Sequence, residues 1–170
     1  MSPPAGRALP ALALPSTAGD AVALNDLGHP RTVLYVYPMT ARPGVALPAD
    51  WDLIPGARGC TPEACSFRDH HAELREAGAD VYGLSSQDTG YQREAVERLH
   101  LPFAMLSDER LELAQALGLP TFTADGTTYF ARLTRVFADG AVEHVFHPVY
   151  DPAEHAQEVL AWLRERPRPR

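Results

Sequence analysis

The chain has 170 residues, of which 45% are apolar, and its 15 basic and 22 acidic side chains give a formal net charge of −7. This composition suffices for one domain with an ordinary hydrophobic core. The acidic excess opposes a broad phosphate-binding surface, so we do not expect a nucleic-acid partner. Residues 1–16 form a short apolar run that prolines interrupt, and we expect neither a membrane span nor a secretion signal there.

Residues 9–28 predict a short β-hairpin whose turn falls at residues 17–20. The next run, TVLYVY at residues 32–37, is uncharged and rich in β-branched and aromatic residues. Such a run is typical of a strand that is buried on both faces. These features place the first strand of a central sheet at residues 32–37.

The stretch from Pro38 to Gly59 holds four prolines and three glycines. That content leaves little room for regular structure and predicts a long loop. A loop of this length inside one domain is usually functional or an insertion.

A helix is predicted from Thr61 to Gly78. Thr61 can cap its start, Pro62 is tolerated in a first turn, and apolar residues recur at helical spacing until Gly78. The later segments predict two strands, at 79–86 and 103–107, and two helices, at 88–101 and 111–119. A hairpin over 128–147 around Asp139-Gly140 follows. The chain is then expected to end in an amphipathic helix and a loose tail at about 166–170. Strands that alternate with helices predict a single mixed α/β domain over residues 1–170.

The chain has two cysteines, Cys60 and Cys65. Two cysteines are too few for the disulfide framework of a secreted protein, so we expect a cytoplasmic location. Cys60 stands immediately before the predicted helix, where free backbone N–H groups and the helix dipole favour a negative sulfur. The sequence therefore predicts a lowered pKa for the Cys60 thiol and nominates Cys60 as a nucleophile. Cys65, which lies inside the helix, is a candidate resolving thiol.

The five-residue spacing of the cysteines has a structural consequence. In an intact α-helix, Cα atoms five residues apart are roughly 8–9 Å from each other. A disulfide tolerates about 7 Å at most. A bond between Cys60 and Cys65 would therefore require the first helical turn to unwind, and Gly59 makes the entry to that turn flexible.

Other interpretations of the cysteines stay open at this point. Both thiols could be small buried apolar groups. A zinc site would need further ligands, but His70 and His71 are adjacent and His144 and His147 point to opposite faces of a predicted strand. No dinucleotide, phosphate-loop or serine-hydrolase motif is present. We therefore predict no metal site and no nucleotide site.

The segment GCTPEACSFRDHHAEL, residues 59–74, resembles the active-site helix of the peroxiredoxins. The resemblance is to the bacterioferritin-comigratory or Q-type subgroup, in which a resolving cysteine follows the peroxidatic cysteine by five positions. Further matches follow in the family's order at residues 12–28, 32–38, 101–108 and 132–142, and the resemblance spans about residues 8–165. It implies a thioredoxin-like fold in its peroxiredoxin variant, with a central mixed β-sheet flanked by helices and an N-terminal β-hairpin.

The resemblance also implies roles for three residues. Cys60 would be the peroxidatic thiolate and Cys65 the resolving thiol. Arg132, in the Arg-x-Thr of RLTRVF, matches the family arginine that would stabilise the thiolate and orient the peroxide. Without the resemblance, an ion pair on the strand face would be the simpler interpretation of Arg132. Arg135 is expected on the opposite face, exposed to solvent.

The family motif PxxxTxxC is not contiguous in this chain. Leu53 and Ala57 occupy the positions of its proline and threonine. Pro38 does follow the core strand, but it lies 22 positions before Cys60 rather than seven. We therefore predict an insertion of about 15 residues within about residues 39–59 that splits the motif.

The displaced hydroxyl needs another source. Thr40 is the candidate, if it folds back over Cys60, and we expect Pro38, Thr40 and Gly59 to contribute to the substrate site. Three apolar residues of the predicted insertion, Trp51, Leu53 and Ile54, could cover the pocket or meet a partner, or simply pack.

The function that the resemblance implies is a thiol-dependent peroxidase of the atypical two-cysteine kind. Cys60 would reduce hydrogen peroxide or an organic hydroperoxide and become a sulfenic acid, and Cys65 would convert it to an intramolecular disulfide that a thioredoxin-like dithiol recycles. No metal, haem or flavin would be required, and a monomer is expected rather than a homodimer. One alternative is a redox-responsive binding module that uses the same disulfide as a switch. A disulfide reductase is disfavoured because that chemistry usually uses CxxC.

Overall fold

The computed structural model describes residues 6–167. The strands are β1 Ala13–Leu14, β2 Val22–Ala23, β3 Arg31–Val36, β4 Ala79–Ser85, β5 Met105–Ser107, β6 Thr121–Ala124, β7 Thr127–Phe130, β8 Leu133–Ala138 and β9 Ala141–Phe146. The helices are α1 Cys60–Asp69, α2 His71–Glu76, α3 Thr89–Leu99, α4 Glu112–Leu117 and α5 His155–Glu165. Short 3₁₀ turns occur at Leu24–Asp26, Trp51–Leu53 and Pro152–Glu154.

A five-stranded mixed sheet with strand order β5-β4-β3-β8-β9 forms the centre of the domain. The central strand β3 pairs parallel with β4 and antiparallel with β8. All six residues of β3 are buried, which confirms the strand expected at residues 32–37 and its burial on both faces. The predicted mixed α/β architecture and the N-terminal hairpin, formed by β1 and β2, are confirmed as well.

Each face of the sheet carries its own apolar core. Val33 and Tyr35 of β3 point to the core beneath α1 and α5, which also includes Phe67 of α1. Leu34 and Val36 point to the second core, which lies against α4 and the N-terminal hairpin. Burial of each such side chain contributes roughly 1.5–3 kcal/mol. The first core holds α1 against α5 and the 3₁₀ turn at Pro152–Glu154, and thereby fixes where α1 begins.

The helix predicted from Thr61 to Gly78 is two helices, α1 and α2, with a break at His70. The backbone of His70 leaves the helical region at φ −108° and ψ 8°. Its ring Nδ1 lies 2.8 Å from the carbonyl oxygen of Ser66, which the His70 backbone N–H also approaches. A side chain that competes for a helical carbonyl bends or interrupts a helix.

The hairpin predicted over residues 128–147 is only partly correct. Strands β8 and β9 do pair around Asp139-Gly140. Residues 127–130 instead form β7, which pairs with β6 across Asp125-Gly126 in a separate two-stranded sheet. The same Asp-Gly turn signal, between β-branched and aromatic residues, was available in the sequence for this second hairpin.

The 39–59 segment is anchored near its start and at its middle, although the 3₁₀ turn at Trp51–Leu53 is its only helix or strand. At its start, Arg98 donates to the carbonyl of Ala41 at 2.9 Å. Farther on, the backbone N–H of Ala49 donates to Asp125 in the β6–β7 turn at 2.8 Å. Trp51 then packs edge-on against Tyr129 of β7, in a third small apolar cluster. The segment therefore leans on the β6–β7 hairpin.

None of the helices within residues 6–167 has the length and apolar content needed to cross a bilayer. Of the tail predicted to be loose, residues 168–170 lie outside the described part of the chain. Arg166, at the start of that tail, is held in place: its carbonyl accepts a hydrogen bond from Arg31, and its guanidinium lies 5.0 Å from the centre of the Trp162 ring.

Candidate active site

Cys60 is the first residue of α1, so the helix begins one residue earlier than its capping signals suggested. Gly59, the N-cap, has φ +103°, a left-handed conformation that L side chains rarely adopt. A Cβ atom at Gly59 would also lie 2.8 Å from Cγ of Pro152. Glycine is therefore required here both by the backbone and by the close approach of the 3₁₀ turn that carries Pro152.

Arg132 lies just before β8 and reaches the sulfur of Cys60. Its Nη2 atom donates to Cys60 Sγ at 3.1 Å. The same guanidinium donates to three successive carbonyls of the loop before α1, those of Gly56 at 3.3 Å, Ala57 at 3.3 Å and Arg58 at 2.9 Å. Arg132 therefore contacts the thiol and fixes the backbone that leads to it.

Glu63 is a component of this site that the sequence analysis missed. It lies three positions after Cys60 in α1, is 0% exposed, and accepts a hydrogen bond from Arg132 Nη1 at 2.5 Å. Its second carboxylate oxygen has no hydrogen-bond partner among residues 6–167. Burial raises the pKa of Glu63 to about 7, although Arg132 opposes the rise. The only sequence signal was an acidic residue on the same helical turn as Cys60.

The pKa of the Cys60 thiol is raised, contrary to the lowering expected from its place at a helix start. Burial is the largest cause, since Cys60 is only 5% exposed. Arg132 and the backbone N–H of Met39 act in the opposite direction, and the carboxylate of Glu63 adds to the rise. Desolvation and a nearby anion thus outweigh the cation and the N–H groups that favour the thiolate.

The guanidinium of Arg132 therefore donates hydrogen bonds to two buried acidic groups. Arg132 lies between Cys60 and Glu63, within hydrogen-bond distance of each. Each acid raises the energy of the other's charged form, because like charges repel at short range. Protonation of either one frees the positive charge of Arg132 to stabilise the anion of the other. The charge of Glu63 is thus one cause of the raised Cys60 pKa.

Cys65 lies in the middle of α1 and is partly exposed, and both cysteines are free thiols. The first turn of α1 is closed, since the Glu63 N–H donates to the Gly59 carbonyl at 2.9 Å. Cys60 and Cys65 thus lie in one continuous helix, as we assumed when we estimated the distance between their Cα atoms.

The Thr40 hydroxyl makes no hydrogen bond to Cys60. The Thr40 N–H donates to Gln87 at 3.2 Å, and its buried hydroxyl has no hydrogen-bond partner among residues 6–167. That hydroxyl lies instead beside the phenol of Tyr37, where it counteracts the burial that raises the Tyr37 pKa to about 12. The chain bends at Pro38 after β3, and Met39, rather than Thr40, presents its backbone N–H to the sulfur.

A cavity of about 300 Å³ opens at Cys60. Its walls are mostly apolar and come from the start of α1 and from the 39–59 segment: Met39, Ala41, Leu47, Trp51, Asp52, Ala57, Arg58, Gly59, Cys60, Thr61 and Pro62. Of the three residues expected in the substrate site, Gly59 lines this cavity, whereas Pro38 and Thr40 do not. The charged members Asp52 and Arg58 form an exposed ion pair at 3.4 Å.

A larger groove of about 640 Å³ lies on the other side of the loop that leads to Cys60. Leu53 and Ile54 line this second groove and not the cavity at Cys60. Of the three apolar residues considered as a cover for the pocket, only Trp51 therefore borders Cys60.

The expectation that Arg135 is exposed to solvent is wrong. Arg135 is fully buried on the face of β8 opposite to Thr134, and not exposed to solvent. Its Nη1 atom donates weakly to the Leu117 carbonyl at 3.4 Å, while its Nε and Nη2 atoms have no partner among residues 6–167. Burial, with a smaller contribution from Arg7, lowers the pKa of Arg135 to about 10. The alternation of side chains along β8 predicted the face of the sheet on which Arg135 lies, but α4 covers that face.

Comparison with known proteins places this geometry in a family. A family model described as Redoxin matches residues 4–160. Peroxiredoxin Bcp of Escherichia coli (strain K12) is 33% identical over 167 residues, covering 95% of this chain and 96% of the relative. Chloroplastic peroxiredoxin Q of Oryza sativa subsp. japonica is 30% identical over 161 residues, covering 94% of this chain and 66% of the relative.

A solved structure extends the agreement to the fold. The crystal structure of peroxidoxin BcpB from Mycobacterium tuberculosis matches with a TM-score of 0.77 and 27% identity, covering 98% of each chain. This likeness confirms the predicted thioredoxin-like fold. The chain thus belongs to the peroxiredoxins, in the bacterioferritin-comigratory or Q-type group that its cysteine spacing resembles, and it is a thiol-dependent peroxidase.

Proposed function

We propose that this peroxidase uses Cys60 as its peroxidatic thiolate, Arg132 as the cation that activates it and Cys65 as its resolving thiol. The 3.1 Å contact between Arg132 Nη2 and Cys60 Sγ carries the proposal. An always-charged planar donor beside sulfur favours the thiolate and can also bind a peroxide oxygen. Cys60 combines this contact with an open cavity, which Cys65 does not line.

In the first step, the Cys60 thiolate attacks the terminal oxygen of the hydroperoxide. The O–O bond breaks, the sulfur becomes a sulfenic acid, and the leaving alkoxide or hydroxide takes a proton to give an alcohol or water. Negative charge moves from the sulfur to the leaving oxygen. The N–H groups of Arg132 are fixed by the loop carbonyls, so they can stabilise that charge without reorganising.

In the second step, the Cys65 thiolate attacks the Cys60 sulfenic sulfur. The S–O bond breaks, a disulfide forms and water leaves after protonation. Because both cysteines lie in α1, the hydrogen bond from the Glu63 N–H to the Gly59 carbonyl must open first. Opening this turn also takes Cys60 away from Arg132.

A dithiol protein of the thioredoxin type then reduces the disulfide by exchange and returns both thiols. We place the protein in the cytoplasm, where such reductants operate and where free thiols persist. Both cysteines of the cycle belong to one chain, so a monomer suffices. Hydrogen peroxide and organic hydroperoxides are the proposed substrates.

Steady-state peroxide consumption with thioredoxin and its reductase tests these roles, with Cys60→Ser and Cys65→Ser compared with the wild type. We expect Cys60→Ser to consume no peroxide. Cys65→Ser should react once per chain and then stop in this assay, with a sulfenic acid on Cys60 that dimedone traps. Equal residual turnover in the two variants would overturn the assignment, and a single turnover in the wild type would point to a redox switch instead.

A further inference from the structure

Met39 is a second residue with an oxidisable sulfur at the cavity that holds Cys60. The chain has three methionines, Met1, Met39 and Met105. Met39 is partly exposed and lines the cavity together with Cys60. Peroxides convert the thioether of an accessible methionine to a sulfoxide. A hydroperoxide that enters this cavity therefore meets two residues that it can oxidise.

Met105 lies in a contrasting environment in the same domain. It is 0% exposed, and the phenol groups of Tyr35 and Tyr37 donate to its sulfur at 3.6 and 3.7 Å. Met1 lies outside the described residues. Within residues 6–167, Met39 is therefore the one methionine that borders a cavity open to peroxide.

Met39 also supports the site to which Cys60 belongs. Its backbone N–H favours the Cys60 thiolate and opposes the burial that raises the pKa of this thiol. Its side chain packs against a small apolar cluster that includes Trp51 and Ala57. The carbonyl of Ala57 in turn accepts a hydrogen bond from Arg132 at 3.3 Å. A change in the Met39 side chain can thus disturb both the N–H donor to the sulfur and the loop that holds Arg132.

Oxidation would give the Met39 side chain a polar group in apolar surroundings. The sulfoxide oxygen is a hydrogen-bond acceptor, and burying such an oxygen without a donor is costly. The cluster beside Met39 is built mainly of apolar groups, from Trp51, Ala57, Ala124 and Tyr129. The sulfoxide therefore favours a position nearer to water, and Met39 would leave the cluster.

This oxidation needs no reagent besides the peroxide. The Met39 sulfur attacks the terminal oxygen of the hydroperoxide, so that an S–O bond forms and the O–O bond breaks. The sulfur gives up two electrons, and the proton of the attacked oxygen passes to the leaving oxygen, which becomes water or an alcohol. A thiolate is a stronger nucleophile than a thioether. Met39 therefore reacts mainly while Cys60 is held as a sulfenic acid or a disulfide, which excess peroxide makes frequent.

We propose that Met39 is an oxidation site for the hydroperoxides that this enzyme reduces, and that the Met39 sulfoxide slows the reaction at Cys60. The loss of activity rests on the proposed role of Cys60, whereas the oxidation of Met39 does not. Methionine sulfoxide reductases restore the thioether, so this loss is reversible. They do not restore a sulfinic acid on Cys60, so the two causes of inactivation can be separated.

The test treats the full chain with excess hydrogen peroxide during thioredoxin recycling and then removes the peroxide. Peptide mass spectrometry measures the oxygen gained by Met39 and by Met105. Peroxidase activity is measured after incubation with methionine sulfoxide reductases A and B, which act on the two sulfoxide epimers, and after the same incubation without them. The variant is Met39→Leu, which nearly conserves side-chain volume, and the matched control is Met105→Leu. Each protein is compared with its own activity before treatment.

We expect the wild type and Met105→Leu to gain an oxygen on Met39, to lose activity and to recover part of it only with the two reductases. Met39→Leu should recover none, although it keeps Met1. An unmodified Met39 in wild type that has lost activity, or equal recovery in the wild type and Met39→Leu, overturns the inference. Peroxide consumption that persists in Cys60→Ser overturns the proposed function instead. Met39 should gain its oxygen in Cys60→Ser as well, and its failure to do so would contradict the oxidation site alone.

Discussion

Arg132 and Glu63 form an ion pair that is buried on both sides, with 2.5 Å between Nη1 and Oε1 and side-chain exposures of 2% and 0%. A buried pair of this kind costs desolvation energy, and its strength depends on the remaining hydrogen bonds of both partners. Here the other N–H groups of Arg132 reach Cys60 and the loop before it, whereas one oxygen of Glu63 has no partner among the described residues. The pair therefore lies beside the thiol, and its charges contribute to the pKa of Cys60.

Replacing Glu63 by glutamine is expected to lower the pKa of Cys60. The carboxylate raises that pKa and competes for Arg132, whereas an amide keeps the size and one acceptor without the charge. The ultraviolet absorbance of the thiolate, followed against pH in the reduced Cys65→Ser background, measures the effect. Glu73→Gln serves as the control because Glu73 is a partly exposed residue that pairs with Arg164. An unchanged or higher Cys60 pKa in Glu63→Gln would contradict the charge coupling.

Glu63 should also make folding stability depend on pH. Its pKa is raised from 4.5 to about 7 in the folded protein, so the folded state binds the proton more tightly than the unfolded chain does. This contribution is fully present below about pH 4.5 and is lost as the pH rises through about 7. Urea unfolding of the wild type and Glu63→Gln should show the wild type losing up to about 3 kcal/mol relative to the variant over that range. A difference that does not vary with pH would show that Glu63 ionises normally.

Arg132→Lys should lower kcat/KM for peroxide on the order of 10²-fold, the usual cost of removing an oriented donor at a developing charge. Lysine keeps the charge but cannot donate at once to the sulfur, to Glu63 and to the loop carbonyls. The measurement is the second-order rate of Cys60 oxidation. Arg164→Lys, at an exposed ion pair, should leave that rate unchanged. A rate near that of the wild type in Arg132→Lys would mean that charge alone is sufficient.

Arg135→Met should stabilise the protein. The guanidinium of Arg135 is buried without a carboxylate contact among the described residues, and a methionine of similar length removes its desolvation cost while it keeps the packing. We expect the free energy of unfolding to rise by about 1 kcal/mol or more, with no change in peroxidase activity. Arg75→Met, at an exposed position, should stay within about 0.5 kcal/mol. Destabilisation by Arg135→Met would show that favourable interactions of the guanidinium outweigh its desolvation cost in the folded protein.

Gly59→Ala tests the packing of the helix start against Pro152. The left-handed backbone and the 2.8 Å approach of the new Cβ should together destabilise the fold by more than the roughly 1–3 kcal/mol typical of backbone strain alone. Gly56→Ala is the matched control, since Gly56 lies in the same loop with φ +78° and a Cβ added there would have nothing within 4 Å. Urea unfolding of both variants separates strain from contact. An equal loss of unfolding free energy in the two variants would mean that Pro152 moves to accommodate the new Cβ atom without destabilising the fold.

Much of the fold follows from local sequence signals. Three signals lie within a few residues of the structure they predict. They are the uncharged run that forms β3, the Asp-Gly turn between β8 and β9, and the start signals of α1 beside Cys60. The β6–β7 hairpin carries an equally local signal at Asp125-Gly126, although the predicted elements did not include it.

The charges of the site were not predictable in this way. Glu63 is buried beside Arg132, which lies 69 residues away just before β8, and no local pattern indicates such a contact. Arg135 is buried because α4 covers its face of the sheet. The Cys60 pKa depends on the balance of burial, Arg132 and Glu63, so the helix start alone gave the wrong direction.

Hydrogen exchange in the first turn of α1 tests the central claim most directly. The reduced protein and the protein oxidised by one equivalent of peroxide are compared at the backbone amide of Glu63, with amides of α3 as the internal reference. We expect the Glu63 amide to be protected when reduced and to exchange rapidly once both thiols are consumed, while α3 keeps its protection. A Glu63 amide that stays protected in chains with a Cys60–Cys65 disulfide would contradict the claim that this turn must open.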